Sequence, residues 1–234
     1  MSICFFEKGR RMEELSVKKK RVMVLFIGAA EMLLRKEGPT GLSIRKVAAE
    51  AGYNSATLYN YFQDLEHLTL FASVRYLREY VTLLETHMTE GMTSFEKYRM
   101  IYRCFNTCAF REPEIFHGMF FGRHSGLLGE VLAVYYEQLF PEELDGLGEQ
   151  MRQMLRLGTM YERDSLIMKD LVAEGFVARE KAEKTIELMI AVHQHFIHEA
   201  MIRSGSGSEA DFDPDRHQAR FEDVFQYIME AARP

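Results

Sequence analysis

The sequence is short of what several architectures need. Three cysteines, Cys4, Cys104 and Cys108, are too few for a disulfide framework, so the expected compartment is a reducing cytoplasm. No apolar run approaches the ~20 residues that cross a bilayer, and no membrane role is expected. The opening MSICFFEKGRRMEE holds only a short apolar run and lacks the layout of a secretory signal peptide. Prolines number five in 234 residues, and strand-like alternation of useful length is missing, which argues against a sheet protein. No internal repeat is found.

What is present points to helices. Hydrophobic residues make up 47% of the chain, enough for a real core, and they recur at three- and four-residue spacing nearly throughout. The fold class expected is all-α. Charge is unevenly placed: residues 1–62 hold 11 Lys/Arg against 6 Asp/Glu, whereas the remainder holds 18 against 29. A basic module that meets a polyanion, followed by an acidic body, fits this split; so does an ordinary uneven surface.

Local signals divide the chain further. Residues 1–17 form a flexible arm. A first helix opens at the Lys18–Arg21 run, carries Leu25, Ala29, Met32 and Leu33 on one side, and stops at Gly38-Pro39. Ser43 caps SIRKVAAEA and Gly52 ends it; Asn54 caps SATLYNYF. Asp64 starts a long fourth helix to about Thr89. Further helices follow over SFEKYRMIYRCFNTCAF, from Glu112-Pro113-Glu114, and over Ser125–Gln138; two long ones span Gly148–Glu174 and Arg179–Arg203. SGSGSEADFDPD reads as flexible, and RHQARFEDVFQYIMEAAR as a last amphipathic helix.

The segment around Gly52 carries the functional signal. Counting from Ile44, apolar residues fall at positions one, four, eight and fifteen (Ile44, Val47, Ala51, Leu58), small Ala48 at five and Gly52 at nine. Ala48 lets two helices approach and Gly52 supplies a tight turn, the steric needs of a helix-turn-helix. Its second helix would enter a major groove with its N-terminal residues facing base edges. Asn54, Ser55 and Thr57 sit where a helix N-terminus attracts phosphate. Ala56 is small enough to let the helix sink in, Tyr59 and Tyr61 offer hydroxyls to phosphates, and Asn60 turns toward base or backbone. Phe62 and Leu58 should point inward.

These residues resemble the DNA-binding domain of the TetR family of transcriptional regulators, over residues 24–70. That pattern runs T/S-x-R-x-I/V-A-x-x-A-G-V-S-x-x-T-L-Y-x-Y/H-F, and the sequence here reads SIRKVAAEAGYNSATLYNYFQDLEHL. The resemblance implies a helix-turn-helix domain over 18–64, an effector-binding and dimerisation domain over 65–234, a homodimer, and double-stranded operator DNA as partner. It implies no enzymatic activity and no cofactor. Carried over by position, Arg45 becomes the contact from the supporting helix; Ser55, Ala56, Thr57, Tyr59, Asn60 and Tyr61 come from the recognition helix. Leu65 stands where the family usually has a phosphate-binding lysine, so Lys46 or the Lys18–Lys20 run would compensate. Tyr53 is bulkier than the usual valine.

In the body, many methionines and aromatics suit either an adaptable apolar cavity or an ordinary core. Tyr98, Ile101, Tyr102 and Phe105 are the expected pocket wall, facing Leu128, Val131 and Tyr135, with Tyr161 added. Arg163 and Asp164 would orient a polar ligand group or pair across a dimer. The expected dimer surface comprises Leu166, Ile167, Leu171, Met189, Phe196 and Ala200. His195, His198 and Glu199 share a helix face and suggest a metal or haem site, as sensor or enzyme, or else polar residues at a subunit interface; His193 lies on another face with Ile186, Ile190 and Ile197. Cys104 and Cys108, four apart, suggest a thiol sensor or an inert pair. The function expected is a ligand-responsive repressor, released from its operator by an apolar or amphipathic small molecule.

Overall fold

The computed structural model describes residues 14–205 and 212–234; no strand occurs among them. Cys4, residues 1–13 of the expected arm and residues 206–211 of the Ser/Gly-rich segment lie outside the described residues. The chain forms two compact units. One joins residues 14–75 and 122–158; the other joins 76–121 and 159–234.

In the first unit, α1 (Val17–Glu37) is capped by Ser16, whose hydroxyl accepts from the Lys19 amide, and ends at Gly38 with φ +69°. Its inward face is Val22, Met23, Phe26, Ala29, Ala30 and Leu33, whereas Leu25 and Met32 of the expected apolar side are exposed. The period was right and the phase was off by about one residue, because Phe26 and Met23 set the stripe. Against α1 pack α2 (Ile44–Glu50) and α4 (Leu65–Ser73), with α3 (Ser55–Leu58) following α2. The later segment adds α8 (Leu128–Val134), a widened π-type turn over Tyr135–Leu139, and α9 (Glu149–Arg156). Gly158 lies against the backbone of Gly129 so closely that a Cβ would sit 2.4 Å from the Gly129 nitrogen.

The fourth helix is not continuous to Thr89. It stops at Ser73, and α5 (Tyr76–His87) begins after a break at Val74–Arg75. Neither proline nor glycine marks the break. The Thr69 hydroxyl donates to the Leu65 carbonyl and the Ser73 hydroxyl to the Thr69 carbonyl, both at 2.8 Å, and such back-bonding bends or weakens a helical ladder. Arg75, just past it, pairs with Glu31 of α1 at 3.0 Å.

The second unit holds α5, α6 (Ser94–Ala109), α7 (Pro113–Phe121), α10 (Met160–Ala173), α11 (Ala182–Gly205) and α12 (Pro214–Ala231). The expected long helix from Gly148 to Glu174 is likewise two, since Thr159 and Glu162 close a reciprocal capping box that starts α10 afresh. Thr93 and Glu96 do the same for α6. The core is aromatic: Tyr80, Tyr98, Phe116, Phe221 and Phe225 are fully buried. Lys181 donates to the carbonyls of Ala231 and Arg233, satisfying acceptors that the end of α12 leaves open.

Candidate functional site

The helix-turn-helix is built from local hydrogen bonds. Ser43 caps α2 by accepting from the Lys46 amide at 3.3 Å. At its other end the Tyr53 amide donates to the Ala48 carbonyl and the Gly52 amide to the Ala49 carbonyl, which satisfies two terminal acceptors. This closure needs a left-handed residue, and Gly52 supplies it at φ +76°. Asn54 then caps α3, its carbonyl oxygen accepting from both the amide and the hydroxyl of Thr57. Val47, Ala48, Leu58 and Phe62 are buried, as steric reasoning expects.

That framework sorts the expected contact residues by exposure. Arg45, Asn54, Ala56, Asn60 and Tyr59 are exposed, Tyr59 by 50%; Ser55 and Thr57 are half-buried. Two side chains are committed elsewhere. Lys46 places its ammonium 2.5 Å from a Glu37 carboxylate oxygen and 2.9 Å from the Gly41 carbonyl. Tyr61 is half-buried with its ring 6.4 Å from that of Phe26. Tyr53, the bulky departure from the family pattern, stacks on the same Phe26 at 5.4 Å. The recognition helix is also shorter than SATLYNYF: after Leu58 the ladder tightens to three-residue spacing through Asn60 and Tyr61.

Sequence reasoning missed the histidines behind this head. Asp64 caps α4 by accepting from the His67 amide at 2.8 Å, and His124 reaches the same carboxylate at 2.9 Å. Burial works against ionisation of Asp64, but the His67 amide, His124 and Arg123 outweigh it and hold the carboxyl below its usual range. His67 is buried and accepts from the Gln63 amide through Nδ1. Burial, with His124 adding to it, pushes His67 down to about 4, so it is neutral at pH 7. A pocket of about 30 Å³, room for about one water, adjoins it between Met23, Phe71 and Val131. The Asp64-x-x-His67 capping spacing was the available signal.

The expected pocket wall divides between the units. Leu128, Val131 and Tyr135 are buried in the first. In the second, the Tyr98 and Tyr102 hydroxyls donate to one oxygen of Asp164 at 3.2 and 2.7 Å. Burial raises Asp164 to about 7, against the pull of both tyrosines and Arg163. The Arg163 guanidinium lies 5.1 Å from the centre of the Phe120 ring. Phe105 packs on Tyr80, Phe116 and Phe120, and Ile101 is half-buried. Tyr161 is exposed and lines an open groove of about 520 Å³ with Ser165, Lys169 and Glu183.

Ile167, Leu171, Met189, Phe196 and Ala200 of the expected dimer surface are buried within the unit; Leu166 is half-exposed. Glu199 pairs with Arg203 at 2.6 Å and Arg220 at 3.1 Å, so its carboxylate is already held. His198 lies beside the His117 ring and His195 is exposed. Among the described residues no group of three or more His, Cys, Asp and Glu is arranged to hold a metal ion. Burial pushes the Cys104 thiol up to about 11 and the Cys108 thiol to about 12. No described helix is long and apolar enough to cross a membrane.

Comparison with known proteins now decides the class of this head. Residues 26–70 match the family described as bacterial regulatory proteins, tetR family. The match spans the whole helix-turn-helix, from Ile44 to Phe62. Solved structures extend the TetR-like fold over nearly the whole chain. RolR in complex with resorcinol is similar at 16% identity and TM-score 0.57, over 93% of this chain and 96% of that one. Thermus thermophilus FadR, a TetR-family repressor in complex with lauroyl-CoA, is similar at 14% identity and TM-score 0.54, over 87% and 93%. The fatty acid degradation regulator FadR from Bacillus halodurans is similar at 13% and TM-score 0.51, over 88% and 96%. No curated protein matches the sequence.

Proposed function

We propose that the chain is a cytoplasmic, non-catalytic transcriptional repressor that binds operator DNA as a homodimer through residues 18–64 and responds to a small molecule through residues 65–234. The observation that carries this reading is the closed turn at Gly52. It buries Leu58 and Phe62 while leaving Arg45, Ala56, Tyr59 and Asn60 outward on α2, α3 and the turn after it. In a two-fold dimer, two such heads about one DNA turn apart, ~34 Å, would read successive major grooves. Resorcinol and lauroyl-CoA in proteins of similar fold support an effector role for the body.

The dimer face we propose follows exposure rather than apolar content alone. Leu188 (48% exposed), His195 and Ile202 (58%) recur at seven-residue spacing on α11, with exposed Ala191 and His198 between them. Such a stripe suits a helix-to-helix seam. Phosphate contact falls to Arg45 and exposed Lys18, since Lys46 is held by Glu37 and Lys20 lies 3.7 Å from Glu14. Coupling requires an effector that prefers the state unable to bind DNA; a ~100-fold preference supplies roughly 2.7 kcal/mol.

A gel shift with DNA flanking the protein's own gene, run beside light scattering, tests the reading. A retarded band from a dimer is expected, weakened by Arg45→Ala and by Tyr59→Ala. A monomer that retards no duplex even at low salt would sink it.

A further inference from the structure

The chain has eight histidines, and five have a hydrogen bond that accounts for their place. His67 meets the Gln63 amide, His87 the Leu83 carbonyl, His124 the Asp64 carboxylate, His193 the Asn106 side chain and His217 the Phe196 carbonyl. His117, His195 and His198 make no hydrogen bond or ion pair among the described residues, only ring contacts. All three belong to the second unit, on α7 and α11, two helices packed against each other. Imidazole is the commonest protein ligand of transition ions, so three unspent rings at one helix contact raise the question of a metal.

Two of them have the spacing for it. The half-buried His117 ring lies 5.5 Å from the exposed His198 ring, centre to centre, with planes at 44°. A ring nitrogen ligates such an ion at ~2.0–2.1 Å and the ring centre lies about 1.2 Å behind it, so two rings on one tetrahedral ion have centres roughly 5.2 Å apart. Turning the rings is therefore what binding asks for, not moving the helices. Burial, with His198 adding to it, holds His117 below the usual histidine range, which leaves its ring neutral at pH 7. The other adjacent pair, His67 and His124 at 5.7 Å, is already engaged by Gln63 and Asp64.

The donors name the class of ion. Glu199 is held by Arg203 and Arg220, and the Cys104 and Cys108 thiols are buried, so imidazole stands without thiolate or grouped carboxylates. Such a set suits Zn²⁺, Ni²⁺ or Cu²⁺, whereas Mg²⁺ and Ca²⁺ need oxygen ligands. Two protein ligands leave the remaining positions to water, which makes binding open and reversible.

We propose that His117 and His198 form a surface metal site that clips α7 to α11 and takes a divalent ion of the Zn²⁺, Ni²⁺ or Cu²⁺ kind. The sequence grouped His198 with His195 and Glu199; the structure pairs it with His117 instead. His198 lies roughly 60° around α11 from His195, so the ion sits at the edge of the stripe proposed as the dimer seam and does not require the second copy.

The test uses untagged full-length protein, stripped with a chelator and dialysed, in thermal melts and titration calorimetry. Zn²⁺ or Ni²⁺ at about 100 μM should raise the melting temperature by about 2–5 °C with about one ion bound per chain, and Mg²⁺ at about 1 mM should not. His117→Gln and His198→Gln should each weaken Ni²⁺ binding about tenfold or more, while His195→Gln stays within about twofold of wild type. Loss in His195→Gln with binding kept in His117→Gln would place the ion on α11 alone and overturn the proposal. No shift with either ion, or an equal shift with Mg²⁺, overturns it too. Should a variant fail to fold, electron paramagnetic resonance of Cu²⁺ on the wild-type protein decides: coupling to two imidazole nitrogens is expected, and one or none overturns the site. A gel shift with the metal-free protein reads the regulator proposal separately, so either can fail alone.

Discussion

The two regions that matter for function solve the same problem at opposite ranges. In the reading head, polar side chains find their partners three residues away: Ser43 on the Lys46 amide, Asn54 on the Thr57 amide, Asp64 on the His67 amide. In the aromatic core, Asp164 is held by tyrosines 62 and 66 residues distant, and His193 meets Asn106 across 87. The caps of the head are thus set by near neighbours, although His124 also reaches the Asp64 carboxylate across 60 residues, and its outer face stays polar and exposed. A core of distant bonds has its geometry set by how several helices pack, so a change in packing there alters many partners at once.

The largest expected effects come from truncating the aromatic anchors of each region. Phe62→Ala and Phe221→Ala should each lower unfolding free energy by about 3–5 kcal/mol in urea melts, but only Phe62→Ala should abolish operator retardation at temperatures where both remain folded. Equal loss of DNA binding would break the division between the regions. Tyr102→Phe, which removes the shorter hydrogen bond to Asp164, should cost about 1–3 kcal/mol, whereas Tyr59→Phe, half exposed, should stay within about 0.5 kcal/mol in the same melts and act on DNA affinity alone.

Smaller changes sharpen the contrast. Asn54→Ala removes a cap and should cost about 1 kcal/mol; Gly52→Ala, forced to keep φ +76°, should cost about 1–2 kcal/mol. Acid titration separates opposing groups. His67 at about 4 and His193 at about 3 are neutral in the fold, while an unfolded histidine takes a proton near 6.5. Their contribution is thus complete above pH 6.5 and declines as pH falls from there toward 4 for His67 and toward 3 for His193. Asp164, raised to about 7, holds its proton in the fold where the unfolded carboxyl, near 3.8, has lost it, so it stabilises on acidification over the same window. Asp164→Asn should therefore steepen the fall in stability between pH 6.5 and 4, measured by urea midpoints, and a shallower fall would contradict this placement. The smallest effect concerns Cys104 and Cys108: with thiols near 11 and 12, both should resist a thiol reagent at pH 8 until urea unfolds the chain.

Legibility follows the same division by range. Ser43, Gly52, Asn54 and Asp64 could be assigned from their spacing, because a cap or a left-handed turn depends on a few neighbours. Arg163 and Asp164 stood out as charges in an apolar helix, yet nothing local names Tyr98 and Tyr102 as their partners. The halt at Ser73 carries no proline or glycine, only hydroxyls whose back-bonding is one option among several. The restart at Thr159 was readable in principle from the Thr159-x-x-Glu162 spacing, but the apolar period on both sides hid it. Apolar residues lie around much of the 179–203 segment, so periodicity there does not say which side meets the core. Ile167, Leu171, Met189, Phe196 and Ala200 turned out to serve the interior, while Leu188 and Ile202 stayed outside.

The first unit draws on two separate stretches of chain, and this limits how the molecule can be dissected. A fragment cut after α4 would keep the proposed DNA-contact residues but forfeit Gln138, which holds the Leu15 amide, and His124, which grips the cap of α4. It would also uncover Met23 and Phe71 where Leu127 and Val131 now lie. Minimal versions of this head should be made by splicing residues 122–158 back on through a linker, with circular dichroism distinguishing the spliced form from the bare truncation.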